Sequence, residues 1–154
     1  MKLVALSILL LIATSASADD FDYSAYQPTS LAQVIPGAYV DPRADYYFDS
    51  ALPRYKTVGT FTGKTRPVAP RIGDFIAMWA QTDQFPAAYR DLFNTEVEIE
   101  QDSTTYWMPL QQSLVESFRR EVAPGEKVTL YLLLMGEYKH SAVFAISGFD
   151  SAEV

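Results

Sequence analysis

The sequence predicts a mainly β protein with a few helices, an α+β fold class. One stretch alternates apolar and polar residues, and others are rich in β-branched, aromatic or apolar residues and are bounded by Gly, Pro or Asp; both patterns are typical of strands. Two other stretches place apolar residues three and four positions apart, as helices do. The 154 residues are 49% hydrophobic and 20% charged, which are the proportions of an ordinary globular domain.

The first 18 residues match a secretory signal peptide. Lys2 precedes an apolar run, Leu3–Ala13, and the small residues Ala16 and Ala18 form a cleavage site. The alternative, a membrane anchor, needs roughly 20 apolar residues, and this run is shorter. We therefore expect cleavage after Ala18, a periplasmic or secreted location, and no transmembrane segment in the mature chain.

Residue composition excludes several chemistries. The chain has no cysteine and one histidine, His140, so disulfides, thiolate metal sites, cysteine nucleophiles and multi-histidine metal sites are excluded. The formal net charge of −7 makes nucleic acid a poor partner. Phosphate-loop, dinucleotide, nucleophile-elbow, zinc and calcium motifs are absent from the sequence. We therefore assign no catalytic residue, no metal ligand and no cofactor.

The mature chain divides into two parts. Residues 19–53 are rich in proline, glycine and aromatic residues with little periodicity, which predicts an irregular arm lying against the rest of the protein. A tyrosine-lined platform for a sugar or peptide is the alternative for these rings. Residues 54–154 carry the periodic patterns and are expected to form a single domain.

The domain begins with a predicted strand and helices. Tyr55–Thr62 is rich in β-branched and aromatic residues, with Gly59 as a bulge and Gly63 as the end of the strand. Arg71–Phe93 then shows helical spacing in two pieces, the second beginning at Pro86.

A hairpin follows. Glutamates alternate with apolar residues along Glu96–Glu100, which predicts a strand with one buried face and one acidic, solvated face. Asp102 and Ser103 provide the turn, and Thr104–Leu110 returns as the second strand. Paired carboxylates suggest a glycosidase, but such a pair needs unlike environments. Glutamates that share the same solvent lack that difference.

The last third predicts one helix and two strands. Ser113 and Glu116 have the spacing of a capping box, and Pro124 with Gly125 ends the helix. The strand Val128–Met135 is nearly all apolar and is expected to be covered on both faces. A turn over residues 136–140 then leads to a final strand, residues 141–149.

This order of elements, from Tyr55 to Phe149, resembles an OB-fold, the five-stranded Greek-key barrel with a helix between its third and fourth strands. The resemblance implies a small OB-like barrel with a helical insertion between the first two strands, and the insertion departs from a minimal OB-fold. An SH3-like barrel or an open α+β sheet is the competing architecture.

The resemblance also implies a ligand surface on the second and third strands and on the loops after the first and fourth strands. The residues that map there are Lys64 and Arg66, Tyr106 and Trp107, and Tyr138, Lys139 and His140. Aromatic rings beside cations fit an anionic glycan or peptide. The alternative, which we favour for the basic residues of 54–71, is that they pair with the acidic N-terminal segment or with Glu96, Glu98 and Glu100.

We expect an exported binding or interaction module for an unknown protein, peptide or glycan of the cell envelope. A small cell-envelope hydrolase that uses carboxylates is one alternative. A secreted inhibitor that presents an acidic face to a basic partner enzyme is another.

Overall fold

The computed structural model describes residues 22–34, 43–49, 51–81 and 92–151. The predicted signal peptide, residues 1–18, and nearly all of the predicted second helix from Pro86 lie outside the described residues.

The described part of the chain contains seven strands and two α-helices, so the α+β class dominated by sheet is confirmed. The elements in chain order are β1 (Gln27–Pro28), β2 (Tyr46–Phe48), β3 (Arg54–Pro67), α1 (Pro70–Ala80), β4 (Thr95–Gln101), β5 (Thr104–Leu110), α2 (Val115–Glu121), β6 (Lys127–Tyr138) and β7 (Ser141–Ser151). Short 3-10 turns cover Tyr23–Ala25, Leu31–Gln33 and Gln112–Leu114.

Five of the strands form a closed ring of hydrogen-bonded neighbours. The sheet runs β1-β3-β4-β5-β7-β6-β2, and β3 also pairs with β6, which closes the ring through β3, β4, β5, β7 and β6. The link between β5 and β7 is parallel and contains one residue pair, Leu110 with Ile146. Every other neighbour in the ring is antiparallel.

Strand β3 is longer than the sequence predicts. Its first half pairs with β6 and its second half with β4, and the pairing with β4 shifts register between Phe61 and Thr65. Gly63 lies at this shift with φ +90, a conformation that favours glycine. The prediction that Gly63 ends the strand is therefore wrong, because its left-handed backbone bends β3 and the strand continues to Pro67. Gly59 is not a bulge either; it lies in continuous register with β6, against the Ile99 side chain.

Two hydrophobic clusters lie on opposite sides of the strands. The first fills the ring and is covered by Val115 and Phe118 of α2. The second packs Phe75, Ile76 and Trp79 of α1 against the outer side of β6 and β7. Strand β6 is thus buried on both faces, as its apolar sequence predicts.

The predictions for the start of α2 and for the end of β6 are wrong. The capping box is not formed, since Ser113 lies within the 3-10 turn Gln112–Leu114 and neither that turn nor α2 has a side-chain cap. The chain also does not leave the strand at Gly136. Strand β6 continues to Tyr138, and a two-residue turn at Lys139 and His140, both with positive φ, leads directly into β7.

The N-terminal arm adds pairing to the ring. Strand β1 lies parallel to β3 and β2 lies antiparallel to the end of β6. Gln101 joins the arm to the ring, since its Oε1 accepts a 2.7 Å hydrogen bond from the Leu31 N–H and its Nε2 donates to the Val58 carbonyl at 2.6 Å. Within the described residues, no helix has the length and apolar character needed to cross a membrane.

Candidate functional site

The two strands that meet at only one residue pair, β5 and β7, separate away from that pair and leave a cleft of about 380 Å³. Its walls are residues 105–108 of β5 and 141–144 of β7, together with Arg66, Ile72, Glu96, Tyr138 and Lys139. The site therefore lies where the ring is least completely hydrogen-bonded.

The cleft results from the way each strand is paired. Strand β5 is paired along its whole length with β4, and β7 is paired with β6 as far as the turn. Between β5 and β7 themselves, Leu110 faces Ile146, and the Gln111 N–H donates to the Ile146 carbonyl at 3.0 Å. Further toward the cleft, the structure pairs no residue of one strand with a residue of the other, so each presents an open backbone edge.

Five of the seven residues that the resemblance implies line this cleft: Arg66, Tyr106, Trp107, Tyr138 and Lys139. The other two point to carboxylates elsewhere. Lys64 Nζ lies 3.0 Å from Glu98 Oε1, and His140 Nδ1 lies 3.3 Å from Glu137 Oε1. The structure thus brings together the aromatic residues and two cations, without Lys64 and His140.

Arg66 connects a buried carboxylate to an aromatic ring. Its Nε donates a 2.7 Å hydrogen bond to Glu96 Oε2, and its guanidinium carbon lies 3.9 Å from the centre of the Trp107 ring. The Glu96 side chain is only 1% exposed, whereas the Arg66 side chain is 42% exposed. The ion pair and the ring together fix the guanidinium at the mouth of the cleft.

The prediction of a solvated acidic face on β4 is wrong for two of its three glutamates. Glu96 and Glu98 are buried, and only Glu100 is exposed. The reason is that the bend in β3 brings Arg66 and Lys64 across β4, where they cover and pair with these carboxylates. The expectation that basic residues of 54–71 pair with these glutamates is confirmed for Lys64 with Glu98 and for Arg66 with Glu96.

The ionised form of Glu98 is stabilised by its neighbours. Lys64 and the Thr62 hydroxyl donate to its carboxylate, and these hydrogen bonds lower the pKa of Glu98 below its ordinary value. A carboxyl that is to donate a proton at neutral pH needs a shift in the opposite direction.

The opposite wall of the cleft is the turn between β6 and β7. Lys139 Nζ lies 5.8 Å from the centre of the Tyr138 ring, and that ring packs edge-on against Phe75 of α1 at 6.3 Å. The Lys139 N–H donates to the Asp45 carbonyl at 2.8 Å, so the arm also holds this turn. Among the described residues, no carboxylate lies within ion-pair distance of the Lys139 ammonium group.

Sequence reasoning missed the residues that form the rest of the cleft. Glu96 was predicted to be solvated, and Ile72, Met108, Val143 and Phe144 were not singled out as candidates for a site. The apolar members carry no signal that distinguishes a cleft wall from a core. The pairing of Arg66 with Glu96 had a signal, since Glu96 is among the acids that the sequence analysis expects to pair with the basic residues of 54–71.

The described residues contain no group of three acidic or histidine side chains placed to hold a metal ion. A comparison with models of known protein families and with curated protein sequences found no match.

Proposed function

We propose that this chain is an exported binding module that takes an anionic peptide or glycan of the cell envelope in the cleft between β5 and β7. The observation that carries the proposal is the pairing of a cation with an aromatic ring on each wall, Arg66 with Trp107 and Lys139 with Tyr138. The signal-peptide pattern of residues 1–18 supports the export part of the proposal.

Donor groups at the cleft support an anionic ligand. Arg66 uses Nε for Glu96, and its two terminal nitrogens have no hydrogen-bond acceptor among the described residues. Lys139 is exposed and has no carboxylate partner in the same set. A carboxylate that enters the cleft would receive charge-assisted hydrogen bonds from groups that the fold has already positioned.

The ring of strands supports the same location. We propose that it is an OB-like barrel, since the order β3, β4, β5, α2, β6, β7 places a helix between the third and fourth strands of the ring. Ligands of that fold bind on the second and third strands and the adjoining loops. Trp107 and Tyr106 lie on the third strand of the ring, and Lys139 lies in the loop after the fourth.

The two alternatives have less support from the side chains. A carboxylate hydrolase needs an acid with a raised pKa, whereas the pKa of Glu98 is lowered by Lys64 and Thr62. An inhibitor that presents an acidic face needs accessible carboxylates, and of the three glutamates of β4 only Glu100 is exposed. Binding in the cleft uses groups that are exposed.

Equilibrium binding of two anionic probes tests the proposal: a glutamate-rich peptide and an oligogalacturonate, with a neutral cello-oligosaccharide as the control ligand. At least one anionic probe should bind, more weakly at high salt, and Lys139→Ala should reduce its affinity by at least fivefold. The matched variant Lys127→Ala removes an exposed lysine from the other end of β6 and should leave affinity unchanged. Failure of both anionic probes, or equal losses in the two variants, would contradict the proposal.

A further inference from the structure

The cleft has a feature that a general anion site does not need: its two long walls are strand edges. Residues 105–108 of β5 and 141–144 of β7 line it, and each strand is already paired on its far side. Unpaired strand edges are templates for another extended chain, because they present a row of backbone donors and acceptors.

We propose that the ligand of the cleft is an extended peptide with alternating acidic and apolar side chains, bound as an added strand between β5 and β7. This inference rests on the proposed function and names its ligand class. Addition of a strand to a sheet edge is a recurring mode of peptide recognition, in which the backbone provides affinity and the alternate side chains provide specificity.

The cleft offers apolar surface toward the inside of the ring. Met108 and Phe144 belong to the cluster that fills the ring, and Tyr106 and Ala142 pack against that cluster. Since successive side chains of a strand point to opposite faces, every second residue of an inserted peptide would face this surface. Those residues should be apolar.

The outer side of the cleft carries a cation over an aromatic ring, beside the apolar side chains of Ile72 and Val143. Trp107 follows Tyr106 on β5 and therefore points the other way, where Arg66 lies over its ring. The terminal nitrogens of Arg66 have the fork geometry that suits a carboxylate. The outward residues of the peptide should therefore be acidic.

The length of the open edge sets the length of the ligand. Four residues of β5 line the cleft, residues 105–108, and a strand rises about 3.4 Å per residue. An inserted segment of about four residues would thus be paired on both sides, and a seven-residue peptide covers it with flanking residues. A glycan has no means of pairing with both edges in this way.

The test uses the full chain and four probes in parallel titrations. The first is a capped seven-residue peptide in which three glutamates alternate with two valines between terminal threonines. The second carries lysine in place of each glutamate, and the third carries proline in place of each valine, which keeps the charge but removes backbone donors. The fourth is tetragalacturonate.

The glutamate–valine peptide should bind, with affinity at least tenfold above that of the lysine and proline peptides. It should also slow amide hydrogen exchange in residues 105–108 and 141–144. Equal binding of the proline peptide would overturn the inference, since backbone pairing would then be unnecessary. If tetragalacturonate binds in a Lys139-dependent way and the peptide does not, the inference fails and the proposed function stands. If no probe binds, both fail.

Discussion

The carboxylate of Glu96 is almost completely buried and accepts a 2.7 Å hydrogen bond from the Nε of Arg66, a residue of the neighbouring strand whose side chain remains partly exposed. One member of this ion pair is thus fixed inside the protein while the other reaches the cleft. The pair couples the stability of the sheet to the geometry of the candidate site.

This coupling makes Arg66→Met a destabilising change. It leaves the Glu96 carboxylate buried without its donor, and we expect a loss of about 2–3 kcal/mol in the free energy of unfolding. The double variant Arg66→Met with Glu96→Leu removes both polar groups and should recover most of that loss. Urea unfolding of the two single variants and the double variant measures the coupling. Additive losses would show that the pair contributes nothing beyond its separate side chains.

Glu98 makes a pH-dependent contribution to stability. Hydrogen bonds from Lys64 and, to a smaller extent, Thr62 lower the pKa of Glu98 in the folded protein. At acidic pH the unfolded chain therefore binds more protons at this residue than the folded chain does. The stabilisation is therefore present above the unfolded pKa of about 4.3 and is lost as pH falls through the lower folded value. The advantage of the wild type over Glu98→Gln in urea midpoint should shrink below about pH 4.

Glu100→Gln is the matched control for that profile. Glu100 lies on the same strand, but its side chain is exposed and makes no ion pair among the described residues. Its variant should follow the wild-type midpoint from pH 7 to pH 3. A Glu98→Gln difference that stays constant across this range would contradict the assignment.

Gln101 holds the arm to the ring. Gln101→Ala removes the acceptor of the Leu31 N–H and the donor to the Val58 carbonyl, and about 1–3 kcal/mol of stability should be lost with them. Amide exchange at Leu31 should accelerate, and proteases should cut the arm sooner. Gln112→Ala changes an exposed glutamine in a 3-10 turn, and it should alter neither amide exchange at Leu31 nor proteolysis of the arm. Unchanged exchange at Leu31 in Gln101→Ala would show that this contact does not hold the arm.

Gly136 and Gly125 form a matched pair of backbone tests, because both have positive φ and only one is crowded. A methyl group at Gly136 would meet the backbone carbonyl of Tyr47, whereas one at Gly125 would meet nothing within 4 Å. Gly125→Ala should cost about 1–2 kcal/mol through backbone strain. Gly136→Ala should cost about 2–4 kcal/mol and should expose the amides of β2 to exchange. Similar losses in both, with β2 still protected, would contradict the contact.

Part of the fold could be predicted because β4 alternates apolar and polar residues and β6 is almost continuously apolar. The hairpin of Glu96–Glu100 with Thr104–Leu110 was legible from a period of two and from the Asp102 turn, and the apolar run of β6 indicated burial on both faces. The predicted strand ends at Gly63, whereas β3 continues to Pro67. The sequence alone does not distinguish a glycine that ends a strand from one that bends it.

The candidate site could be predicted only in part, because its geometry depends on pairing between strands that are distant in the sequence. Alternating glutamates have the pattern of a solvated face, and only the register that sets Arg66 opposite Glu96 reveals burial. The separation of β5 from β7 depends on long-range parallel pairing at Leu110 and Ile146, which no local pattern encodes. The sequence therefore predicts the aromatic and cationic residues of the site, but it does not predict the open edges of β5 and β7 between them.

Fluorine NMR of protein labelled with 5-fluorotryptophan tests whether the cleft between β5 and β7 binds a ligand. The chain has two tryptophans: Trp107 lies at the cleft, and Trp79 is a buried residue of α1 that packs against β6 and β7. Trp79→Phe assigns the two signals. Titration with the glutamate–valine peptide should move the Trp107 signal in a saturable way, leave the Trp79 signal in place, and lose its effect in Lys139→Ala. Saturable binding that leaves the Trp107 signal unmoved would contradict the account.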